Sequence, residues 1–266
     1  MKLSYLLICI LLVSTNADAD ANGNTTFQDF NNATKQLLKK VYSNNNVENT
    51  TLYCQASFRD RTITDSNGFH TEKYANRLNK MEWEHIVPAK EFGENIPEWR
   101  NKSTISLCTE NGFDGRTCAQ RLSTNFKLML SDLYNIYPSI GALNVSRMDY
   151  EFIEGDAEIS MFSRIKHYSQ DEESSSLQFG LCPIIIKNRK VIPPGYSKGI
   201  IARTYLYMDS TYSIYRLKYQ KKKLFKSWSK AFPVTSNECA RTKLIEKIQK
   251  NQNKIVRKLC KKSKMW

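Results

Sequence analysis

Met81-Glu82-Trp83-Glu84-His85-Ile86-Val87-Pro88 sets a carboxylate beside an imidazole among aromatic and aliphatic neighbours, just before a turn. Aromatic and β-branched residues running up to a proline predict a strand over 82–87 that ends in that turn. Ala89 to Phe92 then reads as a short helical turn. A carboxylate can hold a hard divalent cation through oxygen. A neutral imidazole close to it can take a proton from water at neutral pH. Successive side chains on a regular strand face opposite ways, so Glu84 and His85 share a site only at a strand end or an irregular position, which Pro88 makes available. A Glu-His dipeptide alone carries little weight, because short motifs recur by chance.

A second segment adds to it: Asp132-Leu133-Tyr134-Asn135-Ile136-Tyr137-Pro138-Ser139-Ile140-Gly141, followed by Asn144 and Arg147. Phe126, Leu130, Leu133 and Tyr134 fall on one helical face, which predicts a helix over 126–136 closed by Pro138. Asn135 then offers a carboxamide at a helix end. Hydrolysis of a phosphodiester needs a water, a base and compensation for charge on the phosphorus and the leaving oxygen; a divalent cation can supply the compensation. A strand-borne His85 and Glu84 facing a helix-borne Asn135 would provide the base and the oxygen ligands, which is a ββα-metal arrangement.

Working outward, 40 Lys+Arg against 26 Asp+Glu leave a net charge of +14 on 266 residues. Hydrophobic residues at 41% and aromatics at 11% are enough for a packed core, which excludes wholesale disorder. A mean hydropathy of −0.53 excludes a polytopic membrane protein. Lys2, the apolar run Tyr5 to Val13 and the small residues of Ala17-Asp18-Ala19 read as an export signal over 1–19. That run is too short to span a bilayer, which takes about 20 apolar residues. The mature chain is therefore expected outside the cytoplasm, extracellular or periplasmic, with no membrane association. It keeps Cys54, Cys108, Cys118, Cys182, Cys239 and Cys260, and an exported chain lives where disulfides persist. Six cysteines leave fifteen connectivities open. Cys108–Cys118 is the best candidate pair, since Gly112 and Gly115 between them can fold the segment back. Sequons stand at Asn24, Asn32, Asn49, Asn101 and Asn144, without indicating whether glycans are attached.

The rest of the chain alternates helical and strand-like patterns. Residues 20–34 are polar and expected to be loosely ordered. Helical spacing starts near Phe27 and breaks at Ser43; Leu52 to Phe58 is β-like; residues 100–118 read as loop; residues 169–176 read as an acidic solvated loop. Leu181 to Ile186 is predicted as strand. Ile200 to Met208 fits either a strand or a buried helix. Gln220 to Phe232 is an amphipathic helix, and Cys239 to Leu259 a basic helical region. With no repeat and no long linker, the chain reads as one mixed α+β domain over 35–262.

These segments together resemble the endonuclease I family of secreted and periplasmic deoxyribonucleases. The matching blocks are Glu82 to Ala89 with Phe92-Gly93, Gly115-Arg116-Thr117-Cys118, Asp132 to Asn135 with Pro138 and Gly141, and Asn144 with Arg147. Ile201 to Met208, Trp228 with Pro233-Val234, and Glu238-Cys239 follow in order. The resemblance implies a disulfide-stapled α+β fold around a ββα-metal (His-Me finger) core. It implies His85 as the general base, Glu84 and Asn135 as ligands of one Mg²⁺ (with Mn²⁺ or Ca²⁺ as substitutes), and Arg116 as the group that stabilises the scissile phosphate. Products would carry 5′-phosphate and 3′-hydroxyl ends, with little sequence preference. This chain departs from the family in having Tyr134 where a His commonly precedes the Asn, and Leu130 or a neighbour where a Glu often stands. A family Cys near Cys54 is replaced by Ala56 and its partner is also absent, as though one bridge had been lost as a unit.

The partner implied is double-stranded DNA, with single-stranded DNA and RNA as further candidates, and the chain is expected to act as a monomer. Lys221, Lys222, Lys223, Lys226 and Lys230 crowd one helix and could give sequence-independent phosphate contacts; the same lysines also read as a solvated face. Lys198 and Arg203 are further phosphate-binding candidates, with Lys222 and Lys226. Arg203 equally fits a buried Arg paired with a carboxylate. Trp83, Trp99 and Trp228 read as core. Two other classes compete: a catalytically silent basic protein that binds nucleic acid or glycan, and a zinc hydrolase, which lacks HExxH and has few histidines to draw on.

Overall fold

The computed structural model describes residues 22–155 and 177–266; the export signal expected over 1–19 and the acidic loop over 169–176 lie outside them. Helix α1 (Phe30–Leu37) starts where the Asp29 carboxylate accepts from the Asn32 N–H, and a π-helical turn carries it on to Tyr42. Ala33, Leu37 and Val41 are buried at the spacing that the sequence shows. From Asn22 on, the segment expected to be loose is tied down. Asn24 is 1% exposed, its amide donates to Phe27 O and Leu128 O, and its N–H donates to the Tyr212 hydroxyl. Polar composition suggested mobility because the partners of these polar groups lie far away in sequence.

Leu52 to Phe58 is a strand only at its end. Leu52 to Cys54 form a turn, buried because Cys54 is bridged to Cys182. A hairpin of β1 (Ser57–Arg59) and β2 (Thr62–Asp65) turns at Asp60, whose φ of 55° is left-handed, and carries Arg61 beside it. Strand β3 (Met81–His85) ends at the histidine, and α2 (Ala89–Gly93) follows Pro88.

Residues 100–118 are not a loop but a run of short helical pieces. These are α3 (Pro97–Arg100), a 3₁₀ turn at Lys102–Thr104, α4 (Ser106–Glu110) and α5 (Gly115–Leu122). The Ser, Asn, Asp and Gly residues that suggested loop mark where these pieces begin and end; Asp114, for one, caps α5 through the Thr117 N–H. Cys108–Cys118 joins α4 to α5, the pairing expected from the sequence.

The helix expected over 126–136 is shorter. Helix α6 (Thr124–Leu130) stops at Leu130, and a 3₁₀ turn at Leu133–Asn135, capped by Asp132, leads into strand β4 (Ile136–Ile140). Pro138 sits inside that strand opposite Trp83. The pairing of β3 with β4 is a two-stranded sheet, all edge, where a missing N–H is tolerated. Helix α7 (Gly141–Arg147) leaves β4 directly. A Cβ on Gly141 would lie 2.6 Å from Glu82 Oε1, so the glycine lets α7 begin hard against β3.

β5 (Glu151–Phe152), β6 (Leu177–Phe179), β7 (Cys182–Lys187) and β8 (Lys190–Ile192) form a second sheet in the order β5-β8-β7-β6. The stretch 200–208 resolves as helix: it lies within α8 (Gly195–Thr211), which is buried on nearly every side. Burial all round removes the polar face that would have marked it as helical. After α9 (Tyr219–Ala231), the last helical region divides into α10 (Ser236–Gln249) and α11 (Lys254–Lys262), broken at Lys250 with φ 66° and stapled by Cys239–Cys260. One buried cluster, from Phe27 to Ile245, runs through most of these elements, with a smaller one of Val234, Cys239, Val256 and Cys260 under α11, and the chain forms a single mixed α+β domain with three disulfides.

Candidate active site

Glu84 and His85 occupy the end of β3 and both line one open pocket of about 730 Å³. Glu84 is 3% exposed; its Oε1 accepts a 2.7 Å hydrogen bond from the Tyr53 hydroxyl and lies 3.3 Å from Arg147 Nη1. Burial pushes its carboxyl up, while Arg147 and the Tyr53 bond pull it back toward the charged form. Arg147, buried on α7, also donates to the His85 and Ile86 carbonyls, at 3.1 and 2.8 Å, and stacks its guanidinium over Phe152. One cation thus neutralises the buried carboxylate and locks the strand end that carries the histidine.

The His85 Nε2 stands 2.8 Å from the Leu130 carbonyl, the last residue of α6. A carbonyl can only accept, so Nε2 carries the proton and Nδ1 keeps the free lone pair. The Phe30 ring stacks on the imidazole at 5.1 Å. Burial, with the Arg116 and Arg147 charges adding to it, pushes the imidazole down to about 4, against the opposing bond to Leu130. The ring is therefore neutral at neutral pH. Leu130 contributes main chain, so its lack of a family-like side chain leaves that bond intact. Tyr134, the other departure, is buried in the core with its hydroxyl donating to Asn251 O.

Arg116 and Asn144 also line the pocket, as do Asp114, which caps α5, and the Lys90–Asp149 ion pair at 2.9 Å. Arg116, exposed on the first turn of α5, lines its mouth beside the Cys108–Cys118 bridge. Asn144, half-buried on α7, donates from Nδ2 to Glu82 Oε2 at 3.2 Å, leaving Oδ1 without a partner among the described residues.

Asn135, expected as the second metal ligand, does not line the pocket. It is fully buried in the turn before β4, where Oδ1 accepts from Val87 N–H at 2.8 Å and Nδ2 donates to Val87 O at 3.0 Å. Both ends of the amide clamp the chain just past His85. The helix-borne amide on the site is Asn144. Ile136-Tyr137-Pro138-Ser139-Ile140 was the available signal: read as a strand, it makes Gly141 the start of the helix of the ββα unit and Asn144 its carboxamide. Tyr53 and Arg147 were also missed as site residues; nothing local marks a Tyr 31 positions upstream as the partner of Glu84.

The expected phosphate contacts divide. Lys198 is 7% exposed, paired with Glu154 at 3.0 Å and bonded to Gly155 O, with Trp228 and Phe232 rings close by. Arg203 is 1% exposed and holds Glu238 through two bonds of 2.7 and 2.6 Å. Both are structural, which settles Arg203 as the buried paired Arg. Lys222 is bonded to Asp209 at 2.5 Å, whereas Lys226 is exposed with no partner among the described residues.

A hard cation fits what the pocket offers. The second Glu84 oxygen and Asn144 Oδ1 are oxygen donors, and among the described residues no group of three His, Cys, Asp or Glu converges. A cation here would take most of its coordination from water and substrate phosphate, as Mg²⁺ does.

The endonuclease I family model matches residues 22–260. An extracellular deoxyribonuclease of Aeromonas hydrophila is 33% identical over 264 residues, covering 96% of this chain and 97% of the relative. A periplasmic deoxyribonuclease of the same organism is 33% identical, over 94% and 92% of the two chains. Endonuclease-1 of Buchnera aphidicola subsp. Baizongia pistaciae is 32% identical, over 98% and 96%. Among the described residues no helix is long and apolar enough to cross a membrane.

Proposed function

This chain belongs to the endonuclease I family, and on that footing we propose that it is an exported, Mg²⁺-dependent endonuclease that hydrolyses DNA with little sequence preference and takes RNA as a further substrate. The observation that carries this reading is the convergence of His85, Glu84, Asn144 and Arg116 on one pocket. The names of the relatives, extracellular and periplasmic deoxyribonucleases, favour DNA and an exported chain.

Each side chain has one task. His85 Nδ1 accepts a proton from water as that water attacks phosphorus; the Leu130 carbonyl holds the ring in the tautomer that leaves Nδ1 free. The depressed basicity of the imidazole keeps it unprotonated and ready at neutral pH. Arg116, at the mouth, offsets the charge that builds on the phosphate oxygens. Glu84 and Asn144 would hold Mg²⁺, which when bound compensates charge on the phosphate and the departing oxygen. The bond from phosphorus to the 3′ oxygen breaks, its electron pair going to that oxygen, which takes a proton from solvent water to become a hydroxyl, while the phosphate stays on the 5′ end.

Incubation of the purified mature chain with supercoiled plasmid across a Mg²⁺ series, with and without EDTA, tests the reading. Metal-dependent nicking that His85→Ala abolishes, with DNA affinity retained, is the expected result. DNA binding with no cleavage at any Mg²⁺ concentration would leave a nucleic-acid-binding protein instead.

A further inference from the structure

A second groove, of about 410 Å³, lies against the first and shares Phe30, Trp83 and Asn144 with it. Arg116 does not line it; Arg61 and Lys80 do. Resting on the nuclease reading, we propose that this groove is a subsite for the nucleotide next to the scissile phosphate, with Arg61 and Lys80 gripping that nucleotide's own phosphate.

Backbone pairing brings the two cations together. Arg61 stands between β1 and β2, Lys80 immediately before β3, and the Met81 N–H donates to Arg61 O at 2.9 Å while Thr62 bridges to Lys80. The Arg61 head is already oriented: Nε donates to Met81 O at 2.9 Å and the guanidinium lies 5.7 Å from the Trp83 ring centroid. Its two terminal nitrogens have no partner among the described residues, and neither has Lys80 Nζ, although both residues are exposed. An arginine fixed through Nε and presenting its free edge is suited to phosphate.

The acid in the groove does not cancel them. Glu82 is bonded to Arg77 through both oxygens and to Asn144 Nδ2, so its charge is already met. What faces the groove is Lys80 and Arg61, whose charge Glu82 feels without an ion pair forming between them, beside the apolar rings of Phe30 and Trp83. That is the polarity of a nucleotide, with a charged phosphate at one side and a flat sugar and base at the other. Asn144 stands at the junction, and a strand whose scissile phosphate lies at His85 can continue past it into the groove.

Arg61→Gln/Lys80→Gln tests the subsite, read on two substrates: a short duplex oligodeoxynucleotide and thymidine 5′-(4-nitrophenyl phosphate), which has no flanking phosphate. The oligonucleotide KM is expected to rise roughly tenfold or more, with kcat unchanged and turnover of the small diester unchanged. The slope of log affinity on log salt should flatten by about one per cation removed. Equal kinetics on both substrates, or an equal loss on both, overturns the proposal. If the wild type cuts neither substrate, the nuclease reading fails separately. Metal-free binding of the oligonucleotide then decides the subsite, weaker binding by the variant supporting it and unchanged binding overturning it.

Discussion

The Tyr53 hydroxyl donates to Glu84 Oε1 at 2.7 Å, from a residue with no exposed surface to a carboxylate almost as buried. Arg147 stands 3.3 Å from that same oxygen, so both partners engage one oxygen of the carboxylate, and the other has no hydrogen-bond partner among the described residues.

Tyr53→Phe removes a hydrogen bond to a charged acceptor, which contributes about 1.5–3 kcal/mol. Denaturant unfolding should show a loss of that order, and the Mg²⁺ concentration for half-maximal activity should rise. A destabilised variant with an unmoved Mg²⁺ curve would mean that Tyr53 only packs.

The two amides should part cleanly on substitution. Asn135→Ala strands Val87 N–H and C=O in the interior, a loss of about 3 kcal/mol. Asn144→Ala sits on the pocket wall and should cost under about 1 kcal/mol while removing most Mg²⁺-dependent turnover. Thermal melts paired with activity titrations check both. The reverse pattern, with Asn135→Ala stable and altered in metal response, would restore Asn135 as the ligand.

Asp132 gives a pH dependence with a defined sign. Its carboxylate is fully buried and accepts from Tyr134 N–H, Gln249 Nε2 and the Tyr207 and Tyr212 hydroxyls. Burial raises its carboxyl, and the four bonds only partly offset this. The folded chain then holds this proton more tightly than the unfolded chain. The stabilising contribution is full below the ordinary carboxylate range and is lost as pH rises through the raised folded value. Urea midpoints of wild type minus Asp132→Asn should therefore shrink from about pH 3 to about pH 7. A gap that is constant or widens over that range rules the assignment out.

The Cys108–Cys118 bridge closes a short loop, a separation of 10, around the helix start that bears Arg116. Replacing both cysteines by Ser should lower stability by about 2–3 kcal/mol. Because Arg116 is exposed on the helix turn that the bridge ties down, kcat should fall further than binding of DNA does. Full kcat in the reduced-loop variant would show that the bridge does not position Arg116.

Local chemistry and periodicity were enough for much of this molecule. The Glu84-His85 pair, the strand that carries it, the Cys108–Cys118 bridge, the cationic balance and the α9 helix follow from neighbouring residues or from spacing within a few turns, so a reader of the chain alone reaches them. What tertiary structure alone decided is which polar groups are free. Lys198 and Arg203 look like phosphate contacts until Glu154 at the surface and Glu238 in the interior, 44 and 35 positions away, pair with them. Asn135 and Asn144 are the same amide in sequence; one is tied to Val87, 48 positions earlier, and the other stands on the pocket. Burial and pairing are made by residues distant along the chain, and no local pattern records them.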